Sequence, residues 1–476
     1  MNDQCPPKEE YRNPSKRKSR IGVSRHCHFL STIVFVMAIA EMSRTVGRHY
    51  TTTLSKAAFS SSSLFTVNAF QFQPTARTGS QTSRKFRNVF ARRASSSSSS
   101  SNDEPSAQSS YDMVVVGGGS AGLTAAKFAS GTLKKSVLIV EEERLGGDCT
   151  WTGCVPSKSL LSMAKASKMA RNYAIQQHGA NSNSGSEEGV SEAHSSKSRS
   201  NFDKVQAYFR KVQESIYEED DSPRALKKFG IETIEGQKAH LVSPTKLSFQ
   251  KGSSTTTVEA TEGILLCTGA KPSRPTSIPG LSDIDYLTYE EIWTRDFGDS
   301  LPQKWTIVGG GPIGCELAQA LSRLGASVTI ITGSSGKLLP GVDDAEVSEL
   351  MKQVFEEDEN IKVVQGRLSK VESRPLEGAS SHVAHVETTS SGLVSVEGEA
   401  MLLSIGRKPN TSGLGLEKLG IELDSKTGGI AVDETLKTTI NGIYAAGDCT
   451  GDKQFTHYAG MFSFIIAVAA VFRHCF

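Results

Sequence analysis

Apolar positions fall in short unbroken runs along the middle of the chain, each followed by glycines and then by a stretch of helical period. Met113-Val114-Val115-Val116 is an apolar run of the buried-strand type. Gly117-Gly118-Gly119-Ser120-Ala121-Gly122 comes next, then a helical stretch from Leu123 to Ser130. A second run, Val137-Leu138-Ile139-Val140, ends in Glu141. The same order returns from Trp305: Thr306-Ile307-Val308, then Gly309-Gly310-Gly311-Pro312-Ile313-Gly314, a helix over Cys315 to Leu324 and a strand over Ser327 to Ile331.

Strand, Gly-x-Gly-x-x-Gly turn, helix and strand make a βαβ unit built for a dinucleotide. The first glycine (Gly117, Gly309) makes the turn, and the second (Gly119, Gly311) lets a pyrophosphate reach the backbone. The third (Gly122, Gly314) lets the helix pack on the strand, so that the helix N-terminus faces the phosphates. Glu141 lies 24 residues after Gly117, placed to take ribose hydroxyls. The second unit has Thr332 at that position, followed by Gly333-Ser334-Ser335-Gly336-Lys337. An acid there would repel a 2′-phosphate; hydroxyls and Lys337 would not. Two such units predict an α/β fold with two Rossmann-like dinucleotide-binding domains.

Between and after these units the pattern predicts further elements. Phe202 to Glu219 has helical period, and Ile231–Gly236, Lys246–Phe249 and Thr255–Glu259 read as strands. Gly263 to Ala270 reads as a buried strand carrying Thr268-Gly269, and the prolines at 272 and 275 mark a domain crossover. Ala400 to Ile405 is another buried run, ending in Gly406-Arg407-Lys408-Pro409-Asn410. Residues 428–432 begin a further strand, and Gly442 to Asp448 closes the series. Asp448 could accept from a ribityl hydroxyl or cap a helix. Residues 178–200 are polar and low in complexity, and read as a surface insertion.

Composition changes the picture mainly at the N-terminus. The 476 residues allow two or three domains, and a net charge of +2 gives no footprint for nucleic acid. Phe29 to Ala40 is apolar but too short to span a membrane; it suits a signal-peptide core. Met42 to Asn102 holds no acid, nine Lys or Arg and much Ser and Thr, the composition of an organelle transit peptide. Residues 1–110 therefore read as a disordered targeting leader. It resembles the bipartite leaders of plastids, with a mitochondrial presequence starting near Met42 as the alternative.

Eight cysteines are scattered, but Cys149 and Cys154 sit five positions apart in Leu145-Gly146-Gly147-Asp148-Cys149-Thr150-Trp151-Thr152-Gly153-Cys154-Val155-Pro156-Ser157-Lys158. On an ideal helix that spacing puts the Cα atoms roughly 8–9 Å apart, too far for a disulfide. If the two pair, the segment between them must be a distorted loop, which Gly153 permits. Pro156 suits a first helical turn, and Lys158 onward reads as that helix. Cys154 then stands at a helix N-terminus, which favours a thiolate. The competing readings are two free buried cysteines or half of a metal site; no second Cys or His cluster balances this one, so no metal is assigned.

From Tyr111 to about Gly460 these motifs, taken together, resemble the class I pyridine nucleotide-disulfide oxidoreductases. The Gly-Gly-Asp-Cys-x4-Cys-Val-Pro-Ser-Lys form looks most like mercuric reductase-like members. The resemblance implies FAD on Gly117, Gly119, Gly122, Glu141, Gly147, Thr268, Gly269 and Asp448. It implies NADPH (or NADH) on Gly309, Gly311, Gly314 and Lys337. Cys154 would be the charge-transfer thiol and Cys149 the interchange thiol, with Lys158 and Glu316 as an ion pair near the flavin. Residues 111–273 and 405–461 would form the FAD domain, with the nucleotide domain, 274–404, inserted.

The implied function is electron transfer from NADPH through FAD and a Cys149–Cys154 disulfide to a small-molecule disulfide or metal-ion substrate. Dihydrolipoamide dehydrogenase and glutathione reductase are alternatives within the family. A flavin- and nucleotide-binding form without turnover is another, and a quinone oxidoreductase would need no redox cysteines. Family members are homodimers, and residues 462–476 read as the first helix of a dimerisation domain. The chain carries no His-Pro-acid motif for a general acid, so half-reaction chemistry is expected to outrun turnover.

Overall fold

The computed structural model describes residues 109–179, 202–297, 301–376, 379–388, 390 and 392–461. The expectations for the leader over 1–108, for the insertion beyond Gly179 and for residues 462–476 lie outside the described residues.

The first unit runs β1 (Ser110–Val116), α1 (Ser120–Gly131) and β2 (Val137–Val140). Then come α2 (Gly147–Trp151), α3 (Cys154–Gly179) and α4 (Phe202–Ile216). Four strands follow: β3 (Ile231–Ile234), β4 (His240–Ser243), β5 (Lys246–Lys251) and β6 (Ser254–Leu266). With β17 (Ile443–Ala445) they form one seven-stranded sheet in the order β3-β2-β1-β6-β5-β4, β17 also pairing with β6. Strands β3, β2, β1, β6 and β17 run parallel; β5 pairs antiparallel with both β6 and β4. Residues alternate between two buried faces. Met113 and Val115 pack with Leu123, Ala126 and Ile139 on the α1 side, while Val114 and Val116 pack with Leu247, Val258 and Ile264 on the other. An uninterrupted Met-Val-Val-Val run is what a strand covered on both sides requires.

The inserted unit is a five-stranded parallel sheet in the order β11-β10-β9-β15-β8. Its strands are β8 (Tyr286–Thr288), β9 (Lys304–Val308), β10 (Ser327–Ile331), β11 (Ile361–Val364) and β15 (Ala400–Leu403), with α5 (Pro312–Arg323) between β9 and β10. One face buries Trp305 and Ile307 against α5, and against Leu160, Val205 and Phe209 of α3 and α4. An antiparallel meander of β12 (Gly366–Leu376), β13 (Ala379–Thr388) and β14 (Gly392–Gly398) covers Val308 and Met401 on the other face. The two units are joined by a two-stranded crossing, β7 (Ala270–Pro272) against β16 (Arg407–Pro409).

Four expectations need correction. The strands expected over 255–259 and 263–270 are one continuous β6, which ends at Leu266 and leaves Thr268-Gly269 outside it. Residues 428–432 form no strand: Ile430 makes a single bridge to Leu423, because the chain turns back at once on Gly428. The helix expected from Phe202 to Glu219 leaves α geometry after Ile216 for a π turn over Tyr217–Asp221. The helix placed from Lys158 begins four residues earlier, at Cys154.

Candidate functional site

Two glycines lay the cysteine segment on the first glycine turn. Gly146 N–H donates to Gly118 O at 2.9 Å. Gly147 has φ +56, and a Cβ there would stand 2.7 Å from Gly119 Cα. Only a residue without a side chain allows that backbone contact. Contrary to the expected loop, Cys149 lies inside the short helix α2, which breaks at Thr152-Gly153 before α3 starts. A Cβ on Gly153 would approach Asp148 O to 2.9 Å, so glycine lets the chain change direction within one residue. A break between two helices, rather than an irregular loop, resolves the spacing that a single helix could not bridge.

Cys149 and Cys154 are free thiols, both half-buried. Cys154 is the first residue of α3, where the helix dipole favours an anion. The hydrogen bond from Cys149 lowers the Cys154 pKa to about 5; Thr456 and the Lys158 charge act the same way, against burial and Glu316. The Cys149 thiol is driven far up by the bond it gives to Cys154 and by burial. Sγ of Cys154 lies 3.4 Å from Thr456 Oγ1, so that hydroxyl can donate to a thiolate. Lys158 and Glu316 both act on Cys154, but the expected ion pair between them is absent among the described residues. Lys158 is exposed.

Asp148, beside Cys149, is tied into a triad that sequence reasoning missed. Arg407 pairs with Asp148 through Nη2 and with Asp448 Oδ2 through Nη1 at 2.9 Å, and donates to Ala270 O at 3.2 Å. Burial opposes the Arg407 charge, and the two carboxylates outweigh it. Burial raises the Asp448 carboxyl, and Arg407 restrains that rise. Thr268 Oγ1 donates to Asn410 O at 2.5 Å, and Asn410 returns a bond to Thr268 O at 2.9 Å. Thr268 and Gly269 thus lock the crossing beside Arg407. The signal for Arg407 was a charge set among Gly, Lys and Pro just after a buried run.

The glycine turns fit dinucleotides by where a side chain would collide. A Cβ on Gly117 would lie 2.2 Å from Cys267 O, and one on Gly122 1.9 Å from Gly117 O. Gly309 and Gly314 repeat this at 2.3 Å from Ser404 O and 2.1 Å from Gly309 O. The protein itself needs those four glycines. Gly119 would meet only Gly147 Cα, at 3.8 Å, and Gly311 nothing within 4 Å. Both are helix N-caps without a side-chain cap bond, so the first N–H groups of α1 and α5 are open to an anion. Glu141 accepts from Gly118 N at 2.6 Å and Glu143 N at 2.8 Å, bracing the first turn, and burial raises its pKa. In the second unit the equivalent Thr332 is buried, its hydroxyl without a partner, while Lys337 is exposed.

Among the described residues no cluster of three His, Cys, Asp or Glu could hold a metal ion, and no helix is long and apolar enough to cross a membrane.

The family model described as pyridine nucleotide-disulphide oxidoreductase matches residues 111–463. The mercuric reductase of Bacillus cereus is 30% identical over 345 residues, covering 71% of this chain and 49% of its own length. The mercuric reductase of Streptomyces lividans is 30% identical over 358 residues, with 73% and 67% covered. A dihydrolipoyl dehydrogenase of Bacillus subtilis is 30% identical, with 70% and 66% covered. The chain therefore spans from about half to two thirds of the length of these relatives. Among solved structures, the Cu(II) complex of the HOCl-induced flavoprotein disulfide reductase RclA from Escherichia coli superposes with a TM-score of 0.57 at 22% identity. That match covers 76% of this chain and 71% of the other, and establishes the fold.

Proposed function

Since the chain belongs to the pyridine nucleotide-disulphide oxidoreductase family, we propose that it is an FAD-dependent NAD(P)H oxidoreductase working through Cys149 and Cys154 on a small disulfide or a mercuric-type metal ion. The observation that carries this reading is the thiol pair at the N-terminus of α3, in backbone contact with the first glycine turn through Gly147. FAD would be held by the Gly117–Gly122 turn, Glu141 and Asp448, and the nicotinamide nucleotide by Gly309, Gly311 and Gly314. Bound together, the two supply hydride acceptance from a reduced nicotinamide and an electron pair for a disulfide.

The residues of the chain then divide the proton and sulfur work. In the reduced pair the proton rests on Cys149 Sγ and the negative charge on Cys154 Sγ. As Cys149 attacks a substrate disulfide, its proton passes to Cys154. One substrate sulfur leaves as thiolate, and the other stays bonded to Cys149. Cys154 gives its proton to the leaving group and attacks Cys149 Sγ. The second substrate thiolate departs, and the Cys149–Cys154 bond closes. One cysteine thiol, one cysteine thiolate, one substrate disulfide and one solvent proton thus become one protein disulfide and two substrate thiols.

Thr332 favours NADPH as donor. Its unpartnered hydroxyl stands where Glu141 stands in the first unit, and no carboxylate there repels a 2′-phosphate. Purified protein loaded with FAD is expected to oxidise NADPH faster than NADH with mercuric ion, glutathione disulfide or lipoamide as acceptor. Cys149→Ser should abolish consumption with all three. Thr332→Glu should reverse the coenzyme preference. Consumption that survives Cys149→Ser refutes the cysteine mechanism, and a strong NADH preference in the unaltered protein refutes the coenzyme reading.

A further inference from the structure

The last carbonyls of a helix have no donor within the helix. Because α2 ends between Cys149 and Cys154, those carbonyls belong to the peptide that separates the two sulfurs. They are met from outside by two side chains that no motif marks. Gln213 Nε2 donates to Thr150 O at 3.0 Å and to Trp151 O at 2.7 Å. Trp293 Nε1 donates to Thr152 O at 2.7 Å. Both are buried, at 5% and 3% exposure. Gln213 comes from α4, and Trp293 from the segment between β8 and β9 of the inserted sheet.

Trp293 is itself held. The Trp293 ring meets Phe209 edge-on at 5.5 Å, and Gln206 Nε2 donates to Arg295 O at 3.0 Å just beyond it. The turn is anchored a fourth time by Thr150 Oγ1, which donates to Asp221 Oδ2 at 2.9 Å. Rotating any peptide from Thr150 to Thr152 would leave a carbonyl without its donor, which a buried carbonyl resists.

We propose that Gln213 and Trp293 are positioning residues for the Cys149–Cys154 couple, fixing the turn between the cysteines so that the two sulfurs stay within bonding reach in either oxidation state. This rests on the redox reading of the pair given above. Pre-placed thiols close into a disulfide more readily than thiols on a mobile turn, because the loss of freedom has already been met in folding. The same constraint keeps the Cys149 thiol against Cys154. Trp293 further makes the inserted sheet a direct support of the cysteine turn.

The test uses the full chain loaded with FAD and equilibrated in buffers of reduced and oxidised glutathione. Closure consumes one glutathione disulfide and yields the Cys149–Cys154 bond and two glutathione thiols. Acid quenching, alkylation and peptide mass then give the closed fraction. Gln213→Leu, which keeps most of the volume, and Trp293→Phe, which keeps an aromatic ring, are each expected to lower the closure constant about tenfold. Each should also move the alkylation profile of Cys154 to higher pH. Val205→Ala, in the same core but without a bond to the turn, should lower the melting temperature and leave both readouts alone.

Wild-type closure constants and pH profiles in folded Gln213→Leu or Trp293→Phe protein overturn the proposal. So does an equal shift in Val205→Ala, which would make the effect one of general loosening. If Gln213→Leu does not fold, Trp293→Phe decides. A wild-type chain that closes in no glutathione buffer refutes the redox reading itself, and the positioning role falls with it.

Discussion

At Cys154 a hydrogen bond from Cys149 acts together with the helix end. The bond from Cys149 is the largest influence holding Cys154 down to about 5, with Thr456 and Lys158 behind it. The thiolate is therefore present above about pH 5 and lost as pH falls through that value. In reduced protein, Cys154 alkylation by iodoacetamide is expected to persist at pH 6; Cys149→Ala should shift its midpoint upward by removing the donor. A midpoint unmoved by Cys149→Ala would show that the helix end suffices. The glycines can be separated in the same way. Gly314→Ala drives a Cβ against Gly309 O and should unfold the inserted unit, whereas Gly311→Ala meets nothing and should keep the wild-type melting temperature. Gly311→Ala should instead raise KM for the nicotinamide nucleotide about tenfold, the cost of a methyl where a phosphate must approach the backbone. Equal melting losses in the two variants would contradict this division. The glycines, Glu141 and both cysteines were legible in the sequence because each motif lies within about 30 residues. Thr456 and Arg407 were not, since they reach Cys154 and Asp148 from 302 and 259 positions away, a closeness only the fold creates.

Among the elements, α3 is docked on the inserted unit by a buried carboxylate as well as by apolar packing. Glu359, whose side chain is 4% exposed, accepts from Lys168 Nζ of α3 at 2.9 Å and from Arg323 Nε of α5 at 3.0 and 3.1 Å, and Gln319 adds a bond at 3.2 Å. Burial alone would raise the Glu359 carboxyl; the bonds from Arg323 and Lys168 more than offset it and hold its pKa below the ordinary 4.5. Its contribution to stability is thus complete above that ordinary value and disappears as pH falls through the lowered one. Glu359→Gln is expected to cost about 2 kcal/mol at pH 7 in urea unfolding, and less at pH 3. A loss that does not diminish on acidification would mean that the charge is not the cause. Both βαβ units could be read from the chain, because parallel strands buried on two faces leave unbroken apolar runs. The meander from β12 to β14 could not. Its strands interleave Ser, Glu and Lys with the buried Leu368, Val371, Ala384, Val386 and Val396, and they also bury a polar residue, His382, which bonds to Thr306. The cysteine turn was misjudged because spacing alone cannot tell a loop from two helices meeting at a break.

At the scale of the whole molecule, the seven-stranded sheet is assembled from parts of the chain that lie far apart. The first half of β6 pairs with β5, its immediate predecessor, while Ile264, Leu265 and Leu266 pair with Ile443, Tyr444 and Ala445 of β17. The five-stranded sheet draws every strand from residues between Tyr286 and Leu403, so it can form without waiting for β17. On a ribosome the order of events is set accordingly. The inner edge of β6 emerges, and about 180 further residues must be made before its partner exists, on the order of 10–40 s at ordinary elongation speeds. During that interval an apolar strand edge stands open to any neighbouring nascent chain. Slow codons between residues 274 and 440 would lengthen the exposure and should increase the insoluble fraction during synthesis. The same codons placed after Ala445 should not, and an equal loss from both positions would show that the late strand does not govern the yield.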